Sequence, residues 1–330
     1  MEGNVSEFIT LNNGHKIPSF GLGTWLAKPG EVGAAVEHAL KTGYRHIDCA
    51  YFYFNEKEVG DALQLCIKEG VVTRDQVYIT SKLWCNDFAP EDVEPACRLS
   101  LQNLQLDYLD LYLVHQVAGL KKDAPSDLSA VTDEHRLGYS PENMAKTWEA
   151  MEKLVEKGLT RSIGISNFTI TKTENLLKTA KIVPAVNQVE CHPYLQQEKL
   201  RKYCSTKGIV FEAYSPLGNP ARPVQNSDDP NPLLEPVVKE IAAKHAATPA
   251  QVCLAFPLQR GMVVIPKSVN LDRLNENLFG TLVELDSEDM ARLKALDKNH
   301  RLLKMMFLYK TGQTYEQFWD IKEDEDFQLP

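Results

Sequence analysis

The chain has 330 residues, of which 43% are hydrophobic and 25% are charged, and its formal net charge is -9 at pH 7. This composition is typical of a globular protein that buries a sizeable core, and it argues against a disordered chain. There is no basic stripe, which argues against nucleic-acid binding, and no apolar run approaches the roughly 20 residues that span a bilayer. We therefore expect a globular protein that binds neither nucleic acid nor membrane.

The cysteines and the first residues indicate a compartment. The seven cysteines are an odd number and form no CxxC pair and no zinc-finger spacing. We interpret them as reduced thiols, which favours a cytoplasmic protein. The first fifteen residues lack the apolar segment of a secretion signal, so no secretion is predicted.

Short apolar runs alternate with amphipathic segments along the chain. Eight runs are too short for helices and rich in Val, Ile, Leu and Tyr, which is typical of strands buried on both faces. They span residues 21–25, 46–50, 77–83, 109–115, 162–166, 185–190, 210–215 and 262–267. The segments between them predict helices at residues 31–41, 56–68, 90–104, 141–156, 170–179, 196–207 and 233–245. Eight strands that alternate with helices along the chain predict a (β/α)8 TIM barrel.

The alternative fold is a doubly wound sheet. It is disfavoured because no GxGxxG or GxxxxGK[ST] sequence follows any predicted strand. A barrel of this kind routinely exceeds about 250 residues as one unit, so we expect a single domain over residues 1–330, with a C-terminal tail at 298–330.

Three segments fall outside the repeat. Residues 7–20 place an Asn-Asn-Gly sequence between two short apolar runs, which predicts a β-hairpin. Residues 116–139 form a long polar connection, and residues 297–330 form a tail without a clear period. Long connections in compact domains are usually functional, so we expect the last two to contribute to a binding site.

Four polar residues stand at the ends of predicted strands. Asp48 and Tyr53 lie at and just after the end of one strand, while Lys82 and His115 lie at the ends of the next two. In a parallel barrel the carboxyl ends of the strands meet at one face, where catalytic groups collect. The four side chains are therefore expected to meet there.

These motifs resemble those of the aldo-keto reductase family, of the aldose and aldehyde reductase type. The stretches LNNGHKIPSFGLGTW, GYRHIDCA, SKLW, LDYLDLYLVH, IGISNF, NQVECHPYLQQEKL, AYSPLG and VIPKSV occur in the family's order. The family's DxAxxYxxE arrangement is formed here by Asp48, Ala50, Tyr53 and Glu56. The resemblance implies an NADPH-dependent enzyme that reduces a small carbonyl compound, a hairpin that plugs the barrel bottom, long substrate-pocket loops and a monomer.

The resemblance makes Asp48, Tyr53, Lys82 and His115 a catalytic tetrad. A carbonyl that accepts hydride develops alkoxide charge and needs a proton donor nearby. Tyr53 is the candidate donor, and the Lys82 ammonium is expected to lower the pKa of its phenol. Asp48 would hold Lys82 charged, and a neutral His115 would orient the carbonyl.

Each of the four residues also has a simpler interpretation. Asp48 and Lys82 alone could form a structural ion pair at the barrel rim. His115 could be a core histidine, and Tyr53 could be one more packing aromatic residue in the run YFYF. Their occurrence together favours the catalytic interpretation.

The resemblance also implies a site for NADPH. Ser166, Asn167 and Gln188 resemble the residues that bind the nicotinamide carboxamide, and Tyr214 resembles the aromatic residue that stacks on the ring. The other residues assigned to the cofactor are Gly23, Thr24, Trp25, Asp48, Ser215, Leu217, Lys267, Ser268, Val269, Asn270, Arg273, Glu276 and Asn277.

The cofactor preference is predicted from one segment near a helix start. Lys267, Ser268 and Arg273 supply two cations and a hydroxyl, which suit a 2'-phosphate and favour NADPH over NADH. Asn270 stands where many relatives have Thr or another small polar residue. The alternative is a solvated helix with mixed charges.

The substrate pocket departs from the family pattern. The residues assigned to it are Trp25, Tyr53, Trp84, His115, Gln116, Val224, Arg301 and Lys304. Many relatives place aromatic residues where this chain has Gln116 and Val224. A pocket without these two aromatic walls favours polar carbonyls, such as aldoses, uronates and keto acids. Arg301 and Lys304 would add cations near the pocket mouth, with ordinary surface charges as the alternative.

Other classes of function have weaker support in the sequence. A barrel glycosidase needs two carboxylates across the pocket, and no acid accompanies His115, although Glu190 and Glu212 lie on later strands. No metal is predicted, because the eight His form no HxH or HExxH cluster. A non-catalytic NADPH-binding member of the same fold stays open, since fold alone does not fix function.

Overall fold

The computed structural model describes residues 7–220, 222, 225–226 and 228–329. The strands are β1 (Phe8–Thr10), β2 (Lys16–Pro18), β3 (Leu22–Gly23), β4 (His46–Asp48), β5 (Tyr78–Leu83), β6 (Leu109–Val114), β7 (Gly119–Leu120), β8 (Arg136–Gly138), β9 (Thr160–Ser166), β10 (Val186–Glu190), β11 (Val210–Tyr214) and β12 (Val263–Ile265). The helices are α1 (Val32–Thr42), α2 (Glu56–Lys68), α3 (Pro90–Leu104), α4 (Pro141–Glu156), α5 (Ile170–Leu177), α6 (Glu198–Thr206), α7 (Pro236–Lys244), α8 (Pro249–Leu258), α9 (Leu271–Phe279), α10 (Ser287–Lys294), α11 (Tyr315–Phe318) and α12 (Ile321–Asp326). Short 3-10 helices occupy Tyr51–Tyr53, Arg74–Gln76, Leu128–Ala130, Asp133–His135, Pro232–Leu234, Gly280–Leu282 and Met306–Leu308.

Eight strands form one parallel sheet that curls into a barrel. Their order is β3, β4, β5, β6, β9, β10, β11 and β12, so each strand pairs with the next barrel strand along the chain. The sheet meets itself where the Gly21 amide donates to the Val264 carbonyl at 2.9 Å and the Gly23 amide donates to the Pro266 carbonyl at 3.0 Å. The predicted (β/α)8 barrel is confirmed, and each of the eight predicted strands is present.

Three helices begin and end where the sequence predicts, and only α4 among them begins with a side-chain cap. Helices α2, α3 and α4 have the predicted bounds, and Ser140 caps α4 by accepting a hydrogen bond from the Asn143 amide at 3.2 Å. The helix predicted at 233–245 is instead a 3-10 turn followed by α7, because Glu235 is extended before Pro236.

The predicted hairpin is confirmed and lies at the amino end of the barrel. β1 and β2 pair antiparallel. The Asn12 side-chain amide donates to the Pro184 carbonyl at 3.0 Å, and the Asn13 side-chain amide donates to Ser162 Oγ at 2.9 Å. Two asparagines of the turn therefore hold the hairpin against the starts of β9 and β10.

The two long segments at the carboxyl end contain more structure than their sequences predict. Residues 116–139 include the antiparallel pair β7 and β8, and the tail beyond residue 297 contains α11 and α12. These elements are too short to show a period in the sequence. No helix in the described ranges is both long enough and apolar enough to cross a membrane.

Candidate active site

The barrel brings the four predicted tetrad residues together at its carboxyl end. Asp48 ends β4, Lys82 lies near the end of β5, and His115 follows β6 directly. Tyr53 ends the 3-10 turn that follows β4. The Thr24 hydroxyl donates to the Asp48 carbonyl at 2.8 Å, which ties the end of β4 to the loop after β3.

The Lys82 ammonium is the centre of this group. Lys82 Nζ donates to both carboxylate oxygens of Asp48 at 2.7 Å and to the Cys49 carbonyl at 2.8 Å, and it lies 3.2 Å from the Tyr53 hydroxyl. Lys82 is fully buried and Asp48 is nearly so. A buried ion pair is stable only when its remaining polar atoms are also paired, as they are here. The cation is therefore fixed against the phenol oxygen.

The pKa of Tyr53 reflects two opposing effects. Burial raises the pKa of this phenol to about 12, and the Lys82 ammonium lowers it in part, as expected from the sequence. Burial outweighs the ammonium, so the phenol is protonated in the resting site. Burial also opposes the charge on Lys82, but Asp48 and Tyr53 outweigh it and raise the pKa of the amine.

His115 is neutral in this environment. Burial, and secondarily the Lys82 ammonium, hold the pKa of the imidazole well below its usual value of 6.5. Its Nδ1 atom is buried without a hydrogen-bond partner among the described residues. The ring lies edge-on to Tyr53 and Trp84, with centroid distances of 5.6 Å and 5.1 Å.

The residues predicted to bind the nicotinamide adjoin the tetrad. Gln188 Nε2 donates to Asp48 Oδ1 at 2.8 Å, and Asn167 Nδ2 donates to the His115 carbonyl at 3.0 Å. The Tyr214 hydroxyl donates to Asn167 Oδ1 at 2.7 Å. Asn167 has a φ of 67°, a left-handed conformation that Asn tolerates better than most residues. These contacts fix the side-chain amides of Gln188 and Asn167 and the ring of Tyr214 beside the tetrad.

The predicted phosphate-binding residues lie around the start of α9. Lys267 Nζ donates only to the Leu26 carbonyl, at 3.3 Å, within the part of the chain that the structure describes. Asn270 caps α9 by accepting from the Arg273 amide at 2.9 Å, and the Arg273 side chain is exposed. Lys267 forms no salt bridge with a described residue, although the Glu31 carboxylate favours its charge, and a cation so placed beside a helix start suits a phosphate.

Two further residues assigned to the cofactor, Glu276 and Asn277, lie in helix α9. Glu276 already accepts a hydrogen bond from the Thr248 hydroxyl at 2.7 Å, whereas Asn277 is buried in α9.

Gly23 lies where the barrel closes, and a Cβ at this position would lie 3.0 Å from the Ile265 carbonyl. A larger residue there would disturb the closure of the barrel beside Lys267.

An aromatic stack forms one side of the space above the tetrad. Trp84 stacks between Phe52 and Phe307, with centroid distances of 3.7 Å and 6.1 Å. Gln116 Nε2 lies 3.8 Å from Met305 Sδ, and its Oε1 accepts from Asn167 Nδ2 at 3.3 Å. Phe307 and Met305 were not predicted. The sequence signal was the apolar run MMFLY, which is one of several apolar groups in the tail.

The other predicted substrate residues lie in different settings. Arg301 is buried, with its guanidinium 3.7 Å from the centre of the Trp319 ring, while the Lys304 side chain is exposed. Trp25 is half-buried. Val224 lies outside the described residues.

Of the two acids named on later strands, Glu190 has a structural role. It accepts hydrogen bonds from His192 Nε2 at 2.9 Å and from the Leu302 and Leu303 amides at 2.7 Å and 2.9 Å. Glu212 lies inside the barrel, where neither of its oxygens has a hydrogen-bond partner among the described residues. No cluster of three or more metal-binding side chains occurs within the described ranges.

Comparisons with known proteins identify the family of this chain. The sequence model described as "Aldo/keto reductase family" matches residues 19–298. An aldo/keto reductase of Synechocystis is 44% identical over 96% of this chain and 97% of its own length. Aldo-keto reductase family 1 member A1 of Gallus gallus is 46% identical over 91% of each chain.

A solved structure extends the agreement to the fold. The structure of the aldose reductase from Schistosoma japonicum superposes with a TM-score of 0.84, at 41% identity, over 94% of this chain and 97% of that one. The chain therefore belongs to the aldo/keto reductase family, and it is an oxidoreductase on a (β/α)8 barrel. Membership also implies a nicotinamide cofactor.

Proposed function

We propose that this protein is an NADPH-dependent reductase that converts the carbonyl of an aldehyde or ketone to an alcohol. Its preferred substrates would be polar, sugar-derived or acidic carbonyls, such as aldoses, uronates and keto acids. The observation that carries the proposal is the Lys82 ammonium, which its ion pair with Asp48 holds 3.2 Å from the Tyr53 hydroxyl.

The tetrad can supply the proton that carbonyl reduction requires. NADPH, when bound, provides the hydride. Tyr53 is protonated at neutral pH and donates its proton to the carbonyl oxygen as negative charge develops there. Lys82 stabilises the phenolate that remains, and Asp48 keeps Lys82 charged. The neutral His115 holds the carbonyl oxygen by a hydrogen bond and so orients it.

The cofactor assignment is supported by groups that suit each end of NADPH. Ser166, Asn167 and Gln188 would bind the carboxamide, with Tyr214 against the ring. Lys267 and the exposed Arg273 side chain would bind the 2'-phosphate. The remaining contacts are assigned to Gly23, Thr24, Trp25, Asp48, Ser215, Leu217, Ser268, Val269, Asn270, Glu276 and Asn277.

The substrate preference is supported by Gln116, a polar side chain at a position where many relatives have an aromatic residue. Gln116 is nearly fully buried beside Asn167 and Met305, where its amide can face a substrate hydroxyl. Trp84 and Trp25 would contact the apolar parts of the substrate. We assign Arg301 and Lys304 to the pocket mouth as attractive charges for anionic substrates.

The proposal includes a cytoplasmic monomer. All seven cysteines are buried and unpaired, which suits a reducing compartment. The oligomeric state is tested by light scattering of the purified chain.

A spectrophotometric screen of NADPH consumption tests the activity. The screen covers aromatic aldehydes, aldoses, uronic acids and ketosteroids. We expect turnover with aldehydes and a higher kcat/KM for at least one sugar-derived or acidic aldehyde than for benzaldehyde. Tight NADPH binding without consumption on any carbonyl would instead favour the non-catalytic alternative.

A further inference from the structure

The C-terminal segment is fixed to the start of helix α5 by a carboxylate. Asp324 Oδ2 accepts from the Ile170 amide at 2.9 Å, and Oδ1 accepts from the amide and the hydroxyl of Thr171, each at 2.9 Å. The amides at the first turn of a helix have no carbonyl partner within that helix, and a negative charge beside them is favourable. A residue of α12, far along the chain, thus completes the start of α5.

A second acid reinforces this attachment. Asp320 pairs with Lys172, and its Oδ2 also accepts from the Thr169 hydroxyl at 2.5 Å. Lys172 Nζ further donates to the Phe318 carbonyl at 2.7 Å, and Lys172 is only 3% exposed. We call these five residues the tail anchor: Thr169, Thr171, Lys172, Asp320 and Asp324. Breaking a buried pair leaves an uncompensated charge, so the tail anchor should hold firmly.

The tail anchor connects to residues 301–309 through aromatic contacts. Phe318 stacks on Tyr309 with a centroid distance of 4.5 Å. Trp319 Nε1 donates to the Lys304 carbonyl at 3.3 Å and lies 3.2 Å from the Tyr309 hydroxyl, and Arg301 stacks over its ring. A displacement of α11 would therefore displace the loop that precedes it.

That loop provides the pocket wall, which we define as Met305 and Phe307. Phe307 stacks on Trp84, the ring that lies edge-on to His115, and Met305 contacts Gln116. The pocket wall thus touches the side chains beside the tetrad without touching the tetrad itself.

We propose that Asp320 and Asp324 are positioning residues that determine substrate selectivity, because they hold the pocket wall against Trp84 and Gln116. This inference rests on the proposed function. Neither acid contacts the tetrad or the residues assigned to NADPH. A carbonyl substrate large enough to reach the pocket wall loses contacts when the tail anchor is broken, whereas a small aldehyde bound beside Tyr53 does not.

The substitution Asp324→Asn in the full chain with NADPH tests this inference. Asn offers a single acceptor oxygen and turns its own N–H groups toward the donors of α5. We expect kcat/KM for D-glucuronate to fall by about tenfold or more, mainly through KM, since charge-assisted hydrogen bonds are lost. For propanal we expect kcat/KM to change by less than about twofold, with the dissociation constant of NADPH equally little changed. The matched control is Glu325→Gln, an exposed neighbour in α12 that should leave all three values unchanged.

Hydrogen exchange separates a local release from general unfolding. Asp324→Asn should increase amide exchange in residues 301–309 while exchange in the barrel strands stays as in the wild type. The milder variant Thr171→Val removes one of the three donors to Asp324 and should shift both measurements in the same direction by a smaller amount.

Two results would overturn the inference. One is unchanged exchange at 301–309 in both variants, which would show that the tail anchor does not hold the pocket wall. The other is increased exchange with an unchanged ratio of kcat/KM between D-glucuronate and propanal. A wild-type chain that consumes NADPH with neither carbonyl would contradict the proposed function itself, while the exchange measurement would still decide whether the tail anchor holds the wall.

Discussion

The Tyr53 phenol rests in a site that favours its protonated form. Burial raises its pKa to about 12, so the group is available as an acid throughout the neutral range. The Lys82 ammonium lies 3.2 Å from the hydroxyl and stabilises the phenolate more than the phenol. The cation therefore acts mainly when the proton leaves, which is when the reaction needs it.

Tyr53→Phe is expected to remove most of the turnover and leave NADPH binding nearly unchanged, because it deletes only the proton donor. General acid catalysis contributes about 100 to 10,000-fold, so kcat should fall within that range. The measurements are kcat and the dissociation constant of NADPH. The matched control is Tyr51→Phe in the same 3-10 turn, and Lys82→Met should be as harmful as Tyr53→Phe. A Tyr53→Phe enzyme with more than half of the wild-type kcat would exclude Tyr53 as the acid.

Gln116→Trp is expected to shift selectivity toward flat aromatic aldehydes. The indole restores an aromatic surface, and it removes an amide that contacts Asn167 and Met305. The measurement is the ratio of kcat/KM for D-glucuronate to that for benzaldehyde, which should fall in the variant. If benzaldehyde is already preferred by the wild type and the ratio does not change, the proposed role of Gln116 is wrong.

At the scale of elements, sequence patterns predicted the eight barrel strands and most of the helices between them, but they missed α8 and also α10, although Asp286 caps α10. Helix α4 begins where Ser140 and Pro141 indicate, and the eight strands are the eight short apolar runs. Helix α8 was not predicted, because residues 252–257 are all buried and a helix that is apolar on every side shows no period. Its start nevertheless carries a local signal, because Thr248 and Gln251 form a capping box with Pro249 at the first helical position.

The site shows the same division between local and distant information. Asp48, Lys82 and His115 were found because each ends a buried strand, and the barrel brings such ends together. Met305 was not found, because its contact with Gln116 joins residues separated by 189 positions. Without a fold, nothing in the tail indicates which of its apolar side chains turns inward.

The residues around the start of α9 allow a test of the predicted preference for NADPH over NADH. Replacing Arg273 by Gln should weaken NADPH binding by roughly tenfold or more, since charge-assisted hydrogen bonds are worth about 1.5 to 3 kcal/mol. NADH serves as the internal control, because it lacks the 2'-phosphate and should lose much less affinity. Lys267→Ala should behave similarly. Equal weakening of the two cofactors, measured by fluorescence titration, would contradict the assignment.

At the scale of the whole molecule, the barrel interior holds two titratable groups in neutral form. Glu212 and His46 are fully buried, with Glu212 Oε1 3.7 Å from His46 Nε2. Burial, with a contribution from Asp48, raises the pKa of Glu212 to about 8, and burial lowers the pKa of His46 to about 3. Both groups are therefore uncharged at pH 7, so the pair is not an ion pair.

Glu212 should make the protein less stable as the pH rises. Between about pH 4.5 and pH 8 the unfolded chain releases the Glu212 proton while the folded protein retains it. This group therefore lowers the free energy of unfolding by up to about 1.4 kcal/mol per pH unit over that window. Glu212→Gln should remove this contribution. Urea unfolding at pH 5 and pH 8 should show that the stability of the variant relative to the wild type is greater at the higher pH, and an equal difference at both values would refute the raised pKa.

The closure of the barrel has a consequence for how the chain can be made. β3 is among the first strands to leave the ribosome, yet the partner at its outer side, around Val264, is synthesised more than two hundred residues later. Until then the growing sheet has an unpaired edge that can join strands of other chains. Asp324 lies beyond the last barrel strand in the chain, so the proposed tail anchor can form only after all eight barrel strands have been synthesised. The long interval with an open edge is therefore the period in which pairing with other chains is most favourable.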